Sequence, residues 1–208
     1  MRPQKTERLW RFLTRRHARR RKRRARVSRD AISEKAHISQ RSGVADARET
    51  VGHWEADLVI CKRSCPVLVL HERKIRITLM SRLAGKTAAE TIAAMMATFR
   101  RLDPRMRGSV TFDNDTCFAR HMLLRGMLSA TTYFCDAYAS WQKGGGENAN
   151  GRIRRWLPRG THLDEISEQD IQEIAMTINL TPRKCLAYRS PVEAFLSELG
   201  RDVEIRFV

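Results

Sequence analysis

Between residues 51 and 80 three apolar runs, GHWEADLVIC, PVLVLHE and KIRITLM, follow one another with no room for a helix between them. The first run alternates. Trp54, Ala56, Leu58 and Ile60 share one side, and His53, Glu55, Asp57 and Val59 share the other, the period of two that marks a strand. Strands this close in sequence pair most simply as an antiparallel meander, with a charged turn near Arg73. The remainder of the chain must then cover a sheet.

It does so in alternating order. Thr87 and Glu90 form a capping box, and Ala88, Ile92, Met95, Phe99 and Leu102 recur at helical spacing, which predicts a helix over 87–101. After Pro104 come a short β-rich run, GSVTFDND, a helical segment, FARHMLLRGML, and another strand, TTYFC. The segment QKGGGENANGRIRRWLPRG predicts a helix that starts at Gly145 or Gly146 and stops at Pro158. Asn150, Gly151 and Arg154 then share a face with Glu147, opposite an apolar stripe of Ile153, Trp156 and Leu157. Ser167 caps a further helix carrying Ile171, Ile174, Ala175 and Ile178, and Ser190-Pro191 with Glu193 opens the last. Trp54 and Trp156 are expected as core anchors; base stacking by Trp141, in its Gly-rich loop, is the less favoured of its readings.

Charge divides the chain. Residues 1–50 hold 17 of the 40 Lys and Arg but only 5 of the 23 Asp and Glu. Nine of the twelve residues from Arg15 to Arg26 are basic, among them Arg19, Arg20, Arg21, Lys22, Arg23 and Arg24. Self-repulsion keeps such a run extended or only partly helical when free. Residues 1–50 are therefore read as a basic, partly disordered arm or linker that follows a nucleic-acid backbone, residues 51–199 as the folded core, and 200–208 as a tail. A net charge of +17 points to a polyanionic partner.

No stretch approaches the roughly 18 to 20 apolar residues of a membrane span, and the basic start is not followed by an apolar signal core. Cys61, Cys65, Cys117, Cys135 and Cys185 are odd in number and scattered, which fits reduced thiols better than a disulfide framework or a zinc module. A cytoplasmic, nucleoid-associated protein is expected.

Asp57 in the first strand, Asp113 just past the fourth and Glu147 on a late helix could converge on one edge of the sheet. Hard divalent cations take such oxygen ligands. With 23 acids to choose from, spacing alone does not single these out.

Motifs do. GHWEADLV, TFDND with FARH after it, YFCDAYASWQKGGGENANGRIRRWLPRGT and NLTPRKCLAYRSPVEAF occur in this order, and together they resemble the catalytic domain of the insertion sequence 30 family of bacterial transposases over about residues 51–196. The resemblance implies an α/β, ribonuclease-H-like fold of the retroviral integrase type, with a five-stranded mixed sheet flanked by helices. It assigns catalysis and metal binding to Asp57, Asp113 and Glu147, with Mg²⁺ or Mn²⁺ as cofactor, two ions in all. The 33 residues between Asp113 and Glu147 suit that family's spacing.

The implied activity is phosphodiester hydrolysis followed by 3′-OH strand transfer of an insertion element. The partners would be DNA at element ends and target, with a homo-oligomer assembled on it, and neither a membrane nor a small-molecule substrate. Phosphate positioning falls to Lys143, Arg152, Arg154 and Arg155, with Arg183 and Lys184 as further candidates. Glu55 is a neighbour or further ligand, and His53 a structural histidine or a substrate contact.

Two features depart from the family pattern. Many members read D-N-G-x-E-F where this chain has Asp113-Asn114-Asp115-Thr116-Cys117-Phe118, which adds an acid at Asp115 and removes one at Cys117. Residues 1–50 are also too short and arginine-rich for the helix-turn-helix region such transposases carry. The chain is thus expected to be linker plus catalytic domain, from a truncated element copy or a split gene. The alternatives are a nuclease on the same fold, or a non-catalytic DNA-binding remnant that dimerises with a full-length transposase and inhibits it.

The basic run generates a test. Removing residues 1–29 should weaken binding to every DNA sequence alike and flatten the slope of log affinity against log salt by roughly 0.9 per lost phosphate contact. An unchanged slope would make the segment a passive linker.

Overall fold

A computed structural model describes residues 32–62, 65–137 and 139–200. The arginine-rich residues Arg19 to Arg24, and the tail 201–208, lie outside the described residues. Six strands form one mixed sheet: β1 Ala36–His37, β2 His53–Val59, β3 Val67–Glu72, β4 Thr78–Arg82, β5 Ser109–Phe112 and β6 Thr131–Phe134. Their spatial order is β1-β6-β5-β2-β3-β4. The expected meander is present, with β2, β3 and β4 pairing antiparallel, whereas β5 and β6 run parallel to β2 and to each other.

The sheet has six strands where five were expected. The additional one, β1, pairs parallel with β6 and comes from the segment that charge assigned to the arm. From Ile32 onward that segment packs on the sheet: Ile32 and Ala45 are buried, and Ser33 offers its carbonyl to His121 at 2.9 Å. A short helix, α1 (Gly43–Ala47), is capped by Ser42. The segment lacks apolar periodicity because it contributes mostly backbone and isolated side chains. Charge composition therefore outweighed it.

Alternation along β2 builds two cores. Trp54 and Ala56 join Leu68, Leu70, Val110 and Phe112 on one face, covered by α2 (Ala88–Arg100) and α3 (Met122–Leu128). Ala-rich α2 presents Ile92, Met95, Met96 and Phe99 at helical spacing, and Phe99 meets Trp54 edge to face with ring centroids 5.6 Å apart. The Trp54 indole N–H donates to the Met106 carbonyl at 2.7 Å, so its polar atom is satisfied inside the core.

On the other face Val59, Val67, Val69 and Met80 pack against α4 (Gly144–Trp156) and α5 (Glu168–Leu180). Ile153 and Leu157 are fully buried there, but Trp156 is 54% exposed and is not a core anchor. The buried row runs Ala149, Ile153, Leu157 at four-residue spacing. Trp156, one residue before Leu157, is rotated about 100° from that row. The last helix, α6 (Pro191–Leu199), carries the expected capping box on Ser190, as α5 does on Ser167. All five cysteines are free thiols. Among the described residues no helix is long and apolar enough to cross a membrane.

Two buried side chains lock β3. The Glu72 carboxylate accepts backbone N–H groups from Gly52 and His53 on one oxygen and from Lys74 and Ile75 on the other, binding the start of β2 to the β3–β4 hairpin. His71 lies under the start of α4 and hydrogen-bonds with Thr78 at 3.0 Å. Burial, then the nearby Arg76, Arg152, Arg183 and Arg48, depress its pKa from 6.5 to about 3. Unfolded His71 takes up a proton below 6.5 while the folded imidazole stays neutral, so acid favours the unfolded chain. Stability should fall by roughly 1.4 kcal/mol per pH unit on this account as pH drops through that window. Urea unfolding at about pH 7 and about pH 5 checks this: the difference between parent and His71→Gln should change with pH, and a pH-independent difference would contradict the assignment.

Candidate active site

β2 and β5 bring the two aspartates together. Their parallel register pairs Trp54 with Val110 and Glu55 with Thr111, so two residues further along each strand stand Asp57 and Asp113, at the same level and on the same side. Each aspartate has one oxygen tied to backbone: Asp57 Oδ1 accepts the Leu58 N–H at 2.8 Å, and Asp113 Oδ1 accepts the Asp115 N–H at 3.1 Å. Both Oδ2 atoms face the Lys143 ammonium, 3.7 Å from each. Burial raises the Asp113 pKa above its ordinary value; Lys143 pulls against this, and Asp57 reinforces it.

Lys143, expected as a phosphate contact, is turned inward instead. It is 3% exposed and also donates to the Ala56 carbonyl at 3.0 Å. The cause lies in the short 3-10 turn Ser140–Lys143 that runs straight into α4. Gln142 fixes this turn by exchanging two hydrogen bonds of 2.8 Å with Asp136 at the end of β6. Trp141 beside it is 72% exposed.

Two of the three glycines, Gly145 and Gly146, explain how α4 approaches the sheet. Glu55, 1% exposed, pairs with the buried Arg73 guanidinium and accepts the Gly146 N–H, which caps the helix from a neighbouring strand and places a negative charge at its N-terminus. A Cβ on Gly145 would stand 3.0 Å from Glu55 Oε2 and 3.2 Å from His71 Cδ2; one on Gly146 would stand 3.3 Å from Glu55 Oε2. Glu55 therefore holds the helix in position and is committed to Arg73 and Gly146. His53 is a satisfied structural histidine, bonded to Ser109 at 2.8 Å and Thr50 at 3.0 Å.

Glu147 follows in the first turn of α4 and is exposed, without a hydrogen-bond partner among the described residues. One turn on, Asn150 reaches back and donates to Asp57 Oδ2 at 2.8 Å, while its own Oδ1 is buried and unpartnered. This link between the helix and the first aspartate was missed in the sequence, although the three-residue spacing from Glu147 could have signalled it. Arg154, on the same face, donates to the Ile60 and Leu157 carbonyls at 3.0 and 3.3 Å. Arg152 is half-buried and Arg155 exposed, and Arg183 is buried, donating to the Ile178 carbonyl at 2.6 Å.

The departures after Asp113 are accommodated outside the aspartate pair. Asp115 has extended backbone, φ −75°, caps the turn Thr116–Phe118 through the Cys117 N–H and pairs with Lys86, so no left-handed residue is needed. Cys117 is buried in the core beside Phe118.

Among the described residues no group of three or more acidic, histidine or cysteine side chains is gathered closely enough to hold a metal ion. Asp57 and Asp113 nonetheless share one cation, the ammonium, through their Oδ2 atoms while backbone amides hold the Oδ1 atoms, and the Asn150 side chain that donates to Asp57 keeps a buried, unpartnered oxygen. An all-oxygen, doubly anionic cradle already filled by positive charge fits a hard divalent ion.

Mixed strand order with helices on both faces makes this a ribonuclease-H-like α/β fold, with the two aspartates level on adjacent parallel strands. The crystal structure of the catalytic core domain of BIV integrase shares this fold, with a TM-score of 0.55 at 17% identity, covering 71% of this chain and 95% of that one. No family model matches the chain. Among curated proteins, transposase InsI of insertion sequence element IS30A from Escherichia coli (strain K12) is 34% identical over 178 residues, 86% of this chain and 46% of that protein. The transposase of IS1086 from Cupriavidus metallidurans is 33% identical over 177 residues, 85% of this chain and 52% of that one. Over this shared span the chain is homologous to transposases of the insertion sequence 30 family, the resemblance that its motifs carry. It spans about half the length of the curated relatives it matches.

Packing of α4 on Glu55 can be tested directly. Gly145→Ala should destabilise the protein by about 1 to 3 kcal/mol, although alanine favours helices by about 1 kcal/mol over glycine. A variant that unfolds at higher urea than the parent would show that the contact is loose.

Proposed function

We propose that this chain carries the catalytic centre of a DNA transposase, with Asp57, Asp113 and Glu147 as its acids. The observation that carries the reading is the Asp57–Asp113 pair, held level on parallel strands and sharing one cation, with Glu147 one helical turn beyond that cation. The three acids would hold Mg²⁺ or Mn²⁺, two ions in all, with the Asn150 oxygen close by. When bound, such ions activate the attacking oxygen and stabilise the leaving one in an in-line displacement.

The chemistry is two successive phosphodiester exchanges. Water attacks a phosphorus at the element end and releases a 3′-OH. That hydroxyl then attacks a target phosphodiester, so one P–O bond forms as another breaks and the target strand's 3′-OH departs. No covalent protein intermediate is required. Backbone amides and Asn150 keep the aspartate oxygens oriented throughout, and the solvent-facing guanidinium of Arg155, with Arg152, meets the phosphates of element ends and target. The basic run Arg19 to Arg24 adds sequence-independent affinity, and the active form is a homo-oligomer assembled on DNA.

Asp57→Asn, Asp113→Asn and Glu147→Gln should each abolish joining of pre-cut element-end DNA to target in Mg²⁺, a loss of at least about 10²-fold, while DNA affinity stays close to the parent's. Strand-transfer products on a gel decide the matter. A variant that retains near-parental joining removes its residue from the set.

A further inference from the structure

We propose that Lys143 is the internal counter-cation of the Asp57–Asp113 pair, and that a divalent ion enters by exchanging with its ammonium. This rests on the reading of the acids as a metal centre.

An ammonium this deeply buried is costly unless it is paired, so its position reports what surrounds it. Three oxygens do: the Ala56 carbonyl at 3.0 Å and the Oδ2 atoms of Asp57 and Asp113, each at 3.7 Å. The opposite oxygen of each aspartate is bound to a backbone N–H, so the carboxylates are fixed and both turn their Oδ2 atoms to one point, that of Asp57 also accepting the Asn150 side-chain N–H at 2.8 Å. That point is where a hard cation bridging the pair would sit. Two carboxylates brought together on adjacent strands repel one another, and Lys143 cancels that repulsion inside the folded chain.

The arrangement also suits release. Lys143 ends the 3-10 turn and hangs on a flexible four-carbon stem, whereas an arginine fork in its place would be rigid and hard to withdraw. Glu147 lies one turn on along α4, facing solvent, and is the acid not engaged by the ammonium. A divalent ion that takes over Asp57 and Asp113 frees Lys143 and must overcome its attraction to both. The parent should therefore bind metal more weakly than a chain without that charge.

Two measurements on the full chain test this. Lys143→Met preserves stem length and removes the charge. Titration calorimetry should show it binding Mn²⁺ at least about tenfold more tightly than the parent, a modest part of the attraction between unit charges at this separation. In chelator it should melt at a lower temperature, and adding Asp113→Asn should recover much of that loss, because one of the repelling charges is gone. Affinity equal to or below the parent's, or a melting loss that Asp113→Asn leaves untouched, overturns the proposal. If neither protein binds Mn²⁺, the metal centre itself fails and the exchange fails with it, while the melting comparison still decides whether Lys143 is a counter-cation.

Discussion

Glu55 lies 1% exposed beneath the first turn of α4, paired to the buried Arg73 and accepting the Gly146 N–H. The position of the whole site follows from this contact. β2 carries both Glu55 and Asp57, and α4 carries Glu147 and Asn150, so a single carboxylate sets how far the helix stands from the strand. Arg73 extends the contact to the N-terminal segment through the Ala45 carbonyl at 3.1 Å. A buried ion pair is weak evidence for stability, since its desolvation cost can exceed the Coulombic gain, but removing one partner leaves an uncompensated charge and costs about 3 to 5 kcal/mol. Here it acts as a register device: it determines which helical turn faces the aspartates. The glycines are the other half of that device, because a side chain at Gly145 or Gly146 would occupy the space through which Glu55 reaches the backbone.

Sheet topology supplies the second constraint. β2 is the strand at which pairing changes from antiparallel, with β3, to parallel, with β5. Ligand sites in α/β sheets gather beyond the carboxyl ends of parallel strands, where the chain leaves the ladder and its polar groups are free. Asp113 is the first residue past β5 and Asp57 sits late in β2, so both occupy that region without any special backbone. Asn114 reinforces the edge by donating to the Cys135 carbonyl beyond β6 at 2.7 Å.

Much of this was legible in the sequence because it is periodic or local. Alternation in GHWEADLV sorted Trp54 and Ala56 from Glu55, Asp57 and Val59, and the two cores divide along that line. Thr87, Ser167 and Ser190 marked the starts of α2, α5 and α6, since a cap is written within four residues. What stayed hidden was long-range or aperiodic. β1 is two residues long and exists only because β6 offers an edge. The inward turn of Lys143 depends on a clasp between Gln142 and Asp136, which nothing in local spacing reveals. Hydrophobicity alone does not place Trp156, because either of two adjacent residues, 156 or 157, could continue the four-residue row, and Leu157 does.

Basic residues in the QKGGGENANGRIRRWLPRG segment illustrate how far charge counting can go. By composition Lys143, Arg152, Arg154 and Arg155 are equivalent phosphate contacts, yet they divide into different physical roles. Arg154 closes the ends of β2 and of α4 by donating to the Ile60 and Leu157 carbonyls. Lys143 neutralises acids within its own chain. Of these four, Arg155 is exposed and Arg152 half-buried. A salt slope for this segment would therefore report fewer neutralised phosphates than its cations suggest, because charge already balanced by a carboxylate, or bound to a carbonyl in the fold, releases few counterions on binding DNA. The same accounting explains why acids and bases are interleaved so closely here: part of the positive charge keeps the acidic pair compact, and the rest is left for the polyanion.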